Sequence, residues 1–137
     1  MTRQPTPQET KRLTAYRSTL CSKDFKPIRK WHGMKPDEDD VRHIPFPEYE
    51  PVIDAFFKLA SQEQWCDVNY NPDEAALLLK RENAIEQSTL AEIKTMLTFC
   101  VRGERFCDGH WGSMISNGII CRILQRLQAL MNTDGDY

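Results

Sequence analysis

Apolar positions recur at helical spacing along much of the chain, most clearly in its last third. Leu90, Ile93, Leu97, Cys100 and Val101 form one stripe. Ahead of it, Thr89-Leu90-Ala91-Glu92 has the order of a capping box, in which the Thr hydroxyl and the Glu carboxylate each take a backbone N–H. Gly103 stands where a left-handed residue would end that helix. Trp111, Met114 and Ile115 mark a short helix that Asn117-Gly118 breaks. Ile120, Ile123, Leu124, Leu127 and Met131 then place a final helix over Ile119 to Met131.

Upstream the signals are weaker. Thr6-Pro7-Gln8-Glu9 reads as a helix start, and Leu13, Tyr16 and Leu20 give a thin apolar stripe running to Leu20 or Cys21. The alternation from Phe25 to Trp31, followed by Val41 to Phe46, predicts a β-hairpin around the acidic connection Asp37-Glu38-Asp39-Asp40. Pro27, Pro45 and Pro47 suit edge strands, and a two-stranded ribbon must pack on something to persist. Pro51 opens a helix with Val52, Ile53, Phe56, Phe57, Leu59 and Ala60 on its apolar face, ending near Gln64. Asn71 caps another with Pro72 at the first position. Its run Ala75 to Leu79 is apolar nearly all round, which implies deep burial or a partner surface. The expected fold class is α+β, mostly α-helical. It is a single compact domain over residues 1–137, with a small N-terminal β-hairpin and a C-terminal three-helix unit. Residues 1–7 and 132–137 are expected to be flexible tails.

Composition narrows the class without naming a function. At 137 residues the chain fits one domain, and 40% apolar with 28% charged residues is ordinary for a globular protein. No apolar run approaches the ~18 residues of a membrane span. The polar segment Met1 to Lys11 lacks the apolar core of a signal peptide, so a cytoplasmic protein without membrane partners is expected. Five cysteines, odd in number and widely spaced, then read as reduced thiols, with Cys100 and Cys121 as small hydrophobes on helical faces. The net charge of −2 conceals segregation. Residues 1–36 carry nine Lys/Arg against two acids, and residues 37–88 carry four against thirteen. A basic arm for nucleic acid with an acidic face for a partner is one reading; mutual neutralisation of the two segments is the other.

Candidate chemistry gathers in Arg102-Gly103-Glu104-Arg105-Phe106-Cys107-Asp108-Gly109-His110-Trp111. Cys107 and His110 supply one metal-ligand pair where a structural zinc site needs two, so no metal is expected. Asp108 and His110, with Glu104, are acid–base candidates, although no nucleophile elbow surrounds Ser113 or Ser116. Asp108 is also placed to cap the next helix, accepting from the N–H groups of Gly109 to Trp111. Arg102 and Arg105, if Arg122 and Arg126 converge with them, would grip phosphate or carboxylate; the alternative is a set of internal ion pairs with Glu104 and Asp108, plus arginines that face solvent. The turn at Asn117-Gly118 resembles a helix-turn-helix, but its second helix opens with Ile119-Ile120-Cys121 where base-reading polar residues belong.

The corner resembles a family of small bacterial and phage-borne proteins known as a domain of unknown function. The likeness rests on Thr89-Leu90, Leu97-Thr98, Arg102 to Gly109, Gly118 and Arg126-Leu127. It implies a shared, mostly helical fold and supplies no activity; in that family the place of His110 is often taken by another residue. The reading is therefore a non-enzymatic binding or interaction protein of the cytoplasm, without cofactor. Its partner would be another protein or a second copy, with a small anionic ligand also open. The first alternative is an enzyme acting on a small anionic or nucleotide-like substrate, with Arg102, Arg105 and Trp111 as binding residues and Asp108 and His110 as acid–base groups. Nucleic-acid binding by the basic N-terminal segment comes third.

Overall fold

A computed structural model of the chain describes residues 4–33 and 46–134. It is an α+β fold dominated by helices. Thr6 caps α1 (Pro7–Thr14) through the expected box, its hydroxyl accepting from the Glu9 N–H and the Glu9 carboxylate accepting from the Thr6 N–H. The helix does not run on to Cys21 unbroken. The hydroxyls of Thr10 and Thr14 return to the carbonyls of Thr6 and Thr10, a bonding that bends helices. A joint at Ala15 and Tyr16 then leads into the single turn α2 (Arg17–Leu20).

The hairpin exists, but lies further along than its alternation suggests. Strand β1 (Ile28–His32) pairs antiparallel with β2 (Phe46–Tyr49), Trp31 opposite Pro47 and His32 opposite Phe46. The second strand expected over Val41 to Phe46, like the acidic connection Asp37 to Asp40, falls outside the described residues except for Phe46. Pro51 starts α3 (Pro51–Ala60), which stops four residues before Gln64; a 3-10 turn, Glu63–Trp65, follows and buries Trp65 completely. Asn71 caps α4 (Pro72–Lys80), accepting from the N–H groups of Asp73 and Glu74. The Ala75 to Leu79 run is not deeply buried: Ala75 is enclosed, whereas Leu77 is 59% exposed.

The last third carries α5 (Leu90–Arg102), α6 (His110–Ser116) and α7 (Ile119–Asp134). The Thr89 and Glu92 capping box is present as read. Helix α7 packs against α1, α2, α5 and α6. The core runs between them through Leu13, Ile53, Phe56, Phe57, Ile93, Leu97, Ile123 and Leu127. Arg122 leaves this frame to make a two-point contact with Glu86, and Arg126 donates to the Ser88 carbonyl. Both arginines therefore staple the connector before α5, and neither reaches Arg102.

The cysteine reading requires correction. Cys21 and Cys121 form a disulfide, their Cα atoms 5.2 Å apart although 100 positions separate them in sequence. It ties the end of α2 to the first turn of α7. Cys66, Cys100 and Cys107 are free, and burial pushes the Cys100 thiol up to about 12, so it behaves as the expected small hydrophobe.

Candidate functional site

The corner between α5 and α6 has an inner and an outer face. Gly103 does not end α5 in the left-handed region; its φ is −60°, and it continues into a 3-10 turn, Gly103–Arg105. The glycine is needed for space. Any Cβ at Gly103 would fall on the imidazole of His110, which packs directly over this backbone. The left-handed residue is Gly109, at φ +90°, and it caps α6 without a side chain.

That leaves the first amides of α6 to be satisfied from elsewhere, and Asp108 is not the group that does it. Glu104 accepts from the Gly109 N–H at 3.0 Å and the Trp111 N–H at 2.8 Å. The same carboxylate accepts from the Tyr49 phenol at 2.7 Å, and the Tyr49 oxygen in turn accepts from the Gly112 N–H at 3.3 Å. The negative charge also sits where the helix dipole favours it. Burial, then the Glu104 contact, raises the Tyr49 pKa well above its ordinary value, so the phenol remains a donor.

This network docks the hairpin. An added Cβ at Gly109 would lie 3.0 Å from the Trp31 ring, and one at Gly112 2.9 Å from Ile28 Cδ1. The two glycines thus let β1 close onto α6, which supplies the packing a two-stranded ribbon lacks on its own. Trp111 belongs to this inner face. Its ring stacks on Phe57 with centroids 4.4 Å apart, and its indole N–H donates to the Val101 carbonyl at 3.0 Å. Of the candidate ligand-binding residues, Trp111 is thereby placed in the core packing, away from the outer face.

The outer face holds a hollow of about 480 Å³. Arg102, Arg105 and His110 all line it, joined by Tyr70, Phe99 and Phe106. The Arg102 guanidinium lies 5.1 Å from the Tyr70 ring centroid, within cation–π range. Phe99 meets the His110 ring edge-on at 5.3 Å, and Phe106 is 88% exposed. Among the described residues, neither Arg102 nor Arg105 is paired with a carboxylate. The internal pairing with Glu104 and Asp108 does not form, because Glu104 serves amides and a phenol on the opposite face. Asp108 is exposed and does not line the hollow.

The surroundings of His110 shift its imidazole toward the neutral form. Desolvation lowers its pKa more than the Glu104 charge and hydrogen bonding to the Phe99 backbone raise it. Its Nε2 is buried without a hydrogen-bond partner among the described residues. Among the described residues no three His, Cys, Asp or Glu side chains gather in a metal-binding group, and Cys107 with His110 remains a lone pair. Sequence reading named the two arginines and the histidine but missed Tyr70 and Phe99. The first comes from the loop before α4, and the second was hidden in a helical apolar pattern.

Residues 5–133 match one family model over nearly the whole chain. The chain belongs to the family of unknown function DUF6508. The DUF6508 match spans the hairpin, the corner and both cysteines of the disulfide. No curated protein and no solved structure matches the chain.

Proposed function

We propose that this DUF6508 protein is a non-enzymatic binding protein that takes an anionic ligand in the hollow beneath Arg102 and Arg105. The observation that carries the proposal is the pair of guanidiniums at the rim of an apolar hollow, without carboxylate partners among the described residues. A guanidinium grips carboxylate or phosphate through paired N–H donors and keeps its charge at any working pH. An adjoining apolar surface strengthens that grip by excluding water.

Binding is favoured over catalysis because the acid–base set is dispersed. Asp108 lies off the hollow, and the carboxylate whose field reaches His110, that of Glu104, is committed to three donors. Nucleic-acid binding by the N-terminal segment has less support, since Arg29 lies near Glu48 and Glu50 and Arg17 bonds Gln128. The cytoplasmic setting expected from the sequence is opposed by the Cys21–Cys121 disulfide, because such bridges are uncommon in reducing compartments.

Native mass spectrometry of untagged protein tests the reading. The wild type is expected to retain an anionic compound that the double variant Arg102→Gln/Arg105→Gln loses while keeping its circular dichroism spectrum. Equal retention by both proteins would move the site elsewhere and overturn the assignment.

A further inference from the structure

The side chains lining the hollow restrict the body of the ligand as well as its charge. Tyr70, Phe99, Phe106 and His110 supply four flat ring systems. Apart from the Tyr70 hydroxyl, the described residues of the lining offer no alcohol or amide side chain, so a sugar or other hydroxyl-rich body would be desolvated with few new partners. Among the described residues the lining also contains no carboxylate, which disfavours a cationic ligand. The His110 ring fills the space that a side chain at Gly103 would take, and Phe99 meets that ring at an interplanar angle of 73°. Arg102 is steadied over Tyr70, so less of its freedom is lost when an anion arrives. The volume of about 480 Å³ accommodates one or two fused rings and is small for a folded partner.

From these features, and resting on the anion-binding reading above, we infer that the ligand is a flat aromatic ring bearing a carboxylate or phosphate. The ring lies against the Phe99, Phe106 and His110 surfaces, and its anionic group reaches Arg102 and Arg105. Offset and edge-on ring contacts discriminate an aromatic from a saturated ring of similar size. The two guanidiniums discriminate the anion from its neutral analogue.

The test is titration of the full chain with phenyl phosphate, benzoate, cyclohexyl phosphate, inorganic phosphate and phenol, read by calorimetry and by proton NMR of the His110 ring. Phenyl phosphate or benzoate is expected to bind and to shift the His110 ring protons through its ring current; whichever binds more tightly identifies the anionic group. Cyclohexyl phosphate should bind at least about threefold more weakly than phenyl phosphate. Phenol and inorganic phosphate should each be weaker by about tenfold or more. Phe106→Ala, which removes an exposed side chain and leaves the core intact, should weaken phenyl phosphate and leave inorganic phosphate unchanged. Equal affinity for phenyl and cyclohexyl phosphate, with both lost in Arg105→Gln, would overturn the aromatic ligand and leave anion binding standing. Binding of phenol as tight as that of phenyl phosphate, or no binding by any of the anions, would overturn both.

Discussion

The Cys21–Cys121 disulfide sets a quantitative expectation. Replacing both cysteines in Cys21→Ser/Cys121→Ser removes a link across 100 positions. In the chain-entropy description, a loop of that length lowers the free energy of folding by about 4.7 kcal/mol, because the cross-link restricts the unfolded chain. Residual compactness of the unfolded ensemble reduces the benefit, so a loss of about 2–4 kcal/mol is expected. For a domain of this size each kcal/mol corresponds to about 3–5 °C, giving a fall in Tm on the order of 10 °C. Differential scanning calorimetry of oxidised protein, dithiothreitol-reduced protein and the double variant measures it. Cys21→Ser alone should lose as much as the double variant, since either change removes the same link. The packing of α1 and α2 through Leu13 and Leu20 should survive, so the folded-state spectra should agree. Two results refute the reasoning at different steps. Native protein in which an alkylating reagent labels both Cys21 and Cys121 would show that the link does not form. A confirmed link whose removal leaves Tm unchanged would show that loop entropy is not its contribution.

Three further outcomes follow from the corner. Tyr49→Phe should cost about 1–2 kcal/mol and Glu104→Ala about 3 kcal/mol or more, with a non-additive double variant, because a charged acceptor serving three donors is lost; additive denaturant-melt values would separate the two groups. Gly109→Ala should destabilise by about 1–3 kcal/mol, since the new methyl meets Trp31 at a φ of +90°, and tryptophan fluorescence reports whether the hairpin lifts. The lowered pKa of His110 makes stability pH-dependent in a definite direction. Its contribution is fully present above the unfolded pKa of about 6.5 and is lost as pH falls from there through the folded value, because the unfolded chain binds the proton first. Melts between pH 8 and 5 on wild type and His110→Gln should differ in their pH slope in that window alone; parallel curves would remove His110 as the cause.

The legible parts of the sequence were those in which one element satisfies its own backbone. The boxes at Thr6 and Thr89 and the cap at Asn71 lie within three residues of the groups they serve, and each stands where it was read. The corner obeys a longer rule. Asp108 is adjacent to the amides of α6, whereas Glu104 reaches them because a 3-10 turn folds the chain back. Gly103 looks like a helix end, but its reason is a ring seven positions on. No spacing rule could pair Cys21 with Cys121, whose proximity exists only once α2 lies on α7. The anion hypothesis was visible in Arg102 and Arg105, while the hollow that gives it a shape needed Tyr70 brought in from before α4.

The division of the corner into two faces makes structural and binding roles separable. Glu104, Tyr49 and Trp111 hold the backbone from inside, and Arg105 and Phe106 stand outside with no structural partner among the described residues. If the proposed anion site is real, its geometry is held by residues that never meet the ligand, so its binding groups can change without the fold changing. Arg105→Gln should therefore abolish ligand retention at an unaltered Tm. Tyr49→Phe should lower Tm and weaken retention only in proportion to the protein left folded. If Arg105→Gln instead lowered Tm by as much as Tyr49→Phe, the outer arginine would be part of the structural corner. The hollow would then be a by-product of packing rather than a binding site.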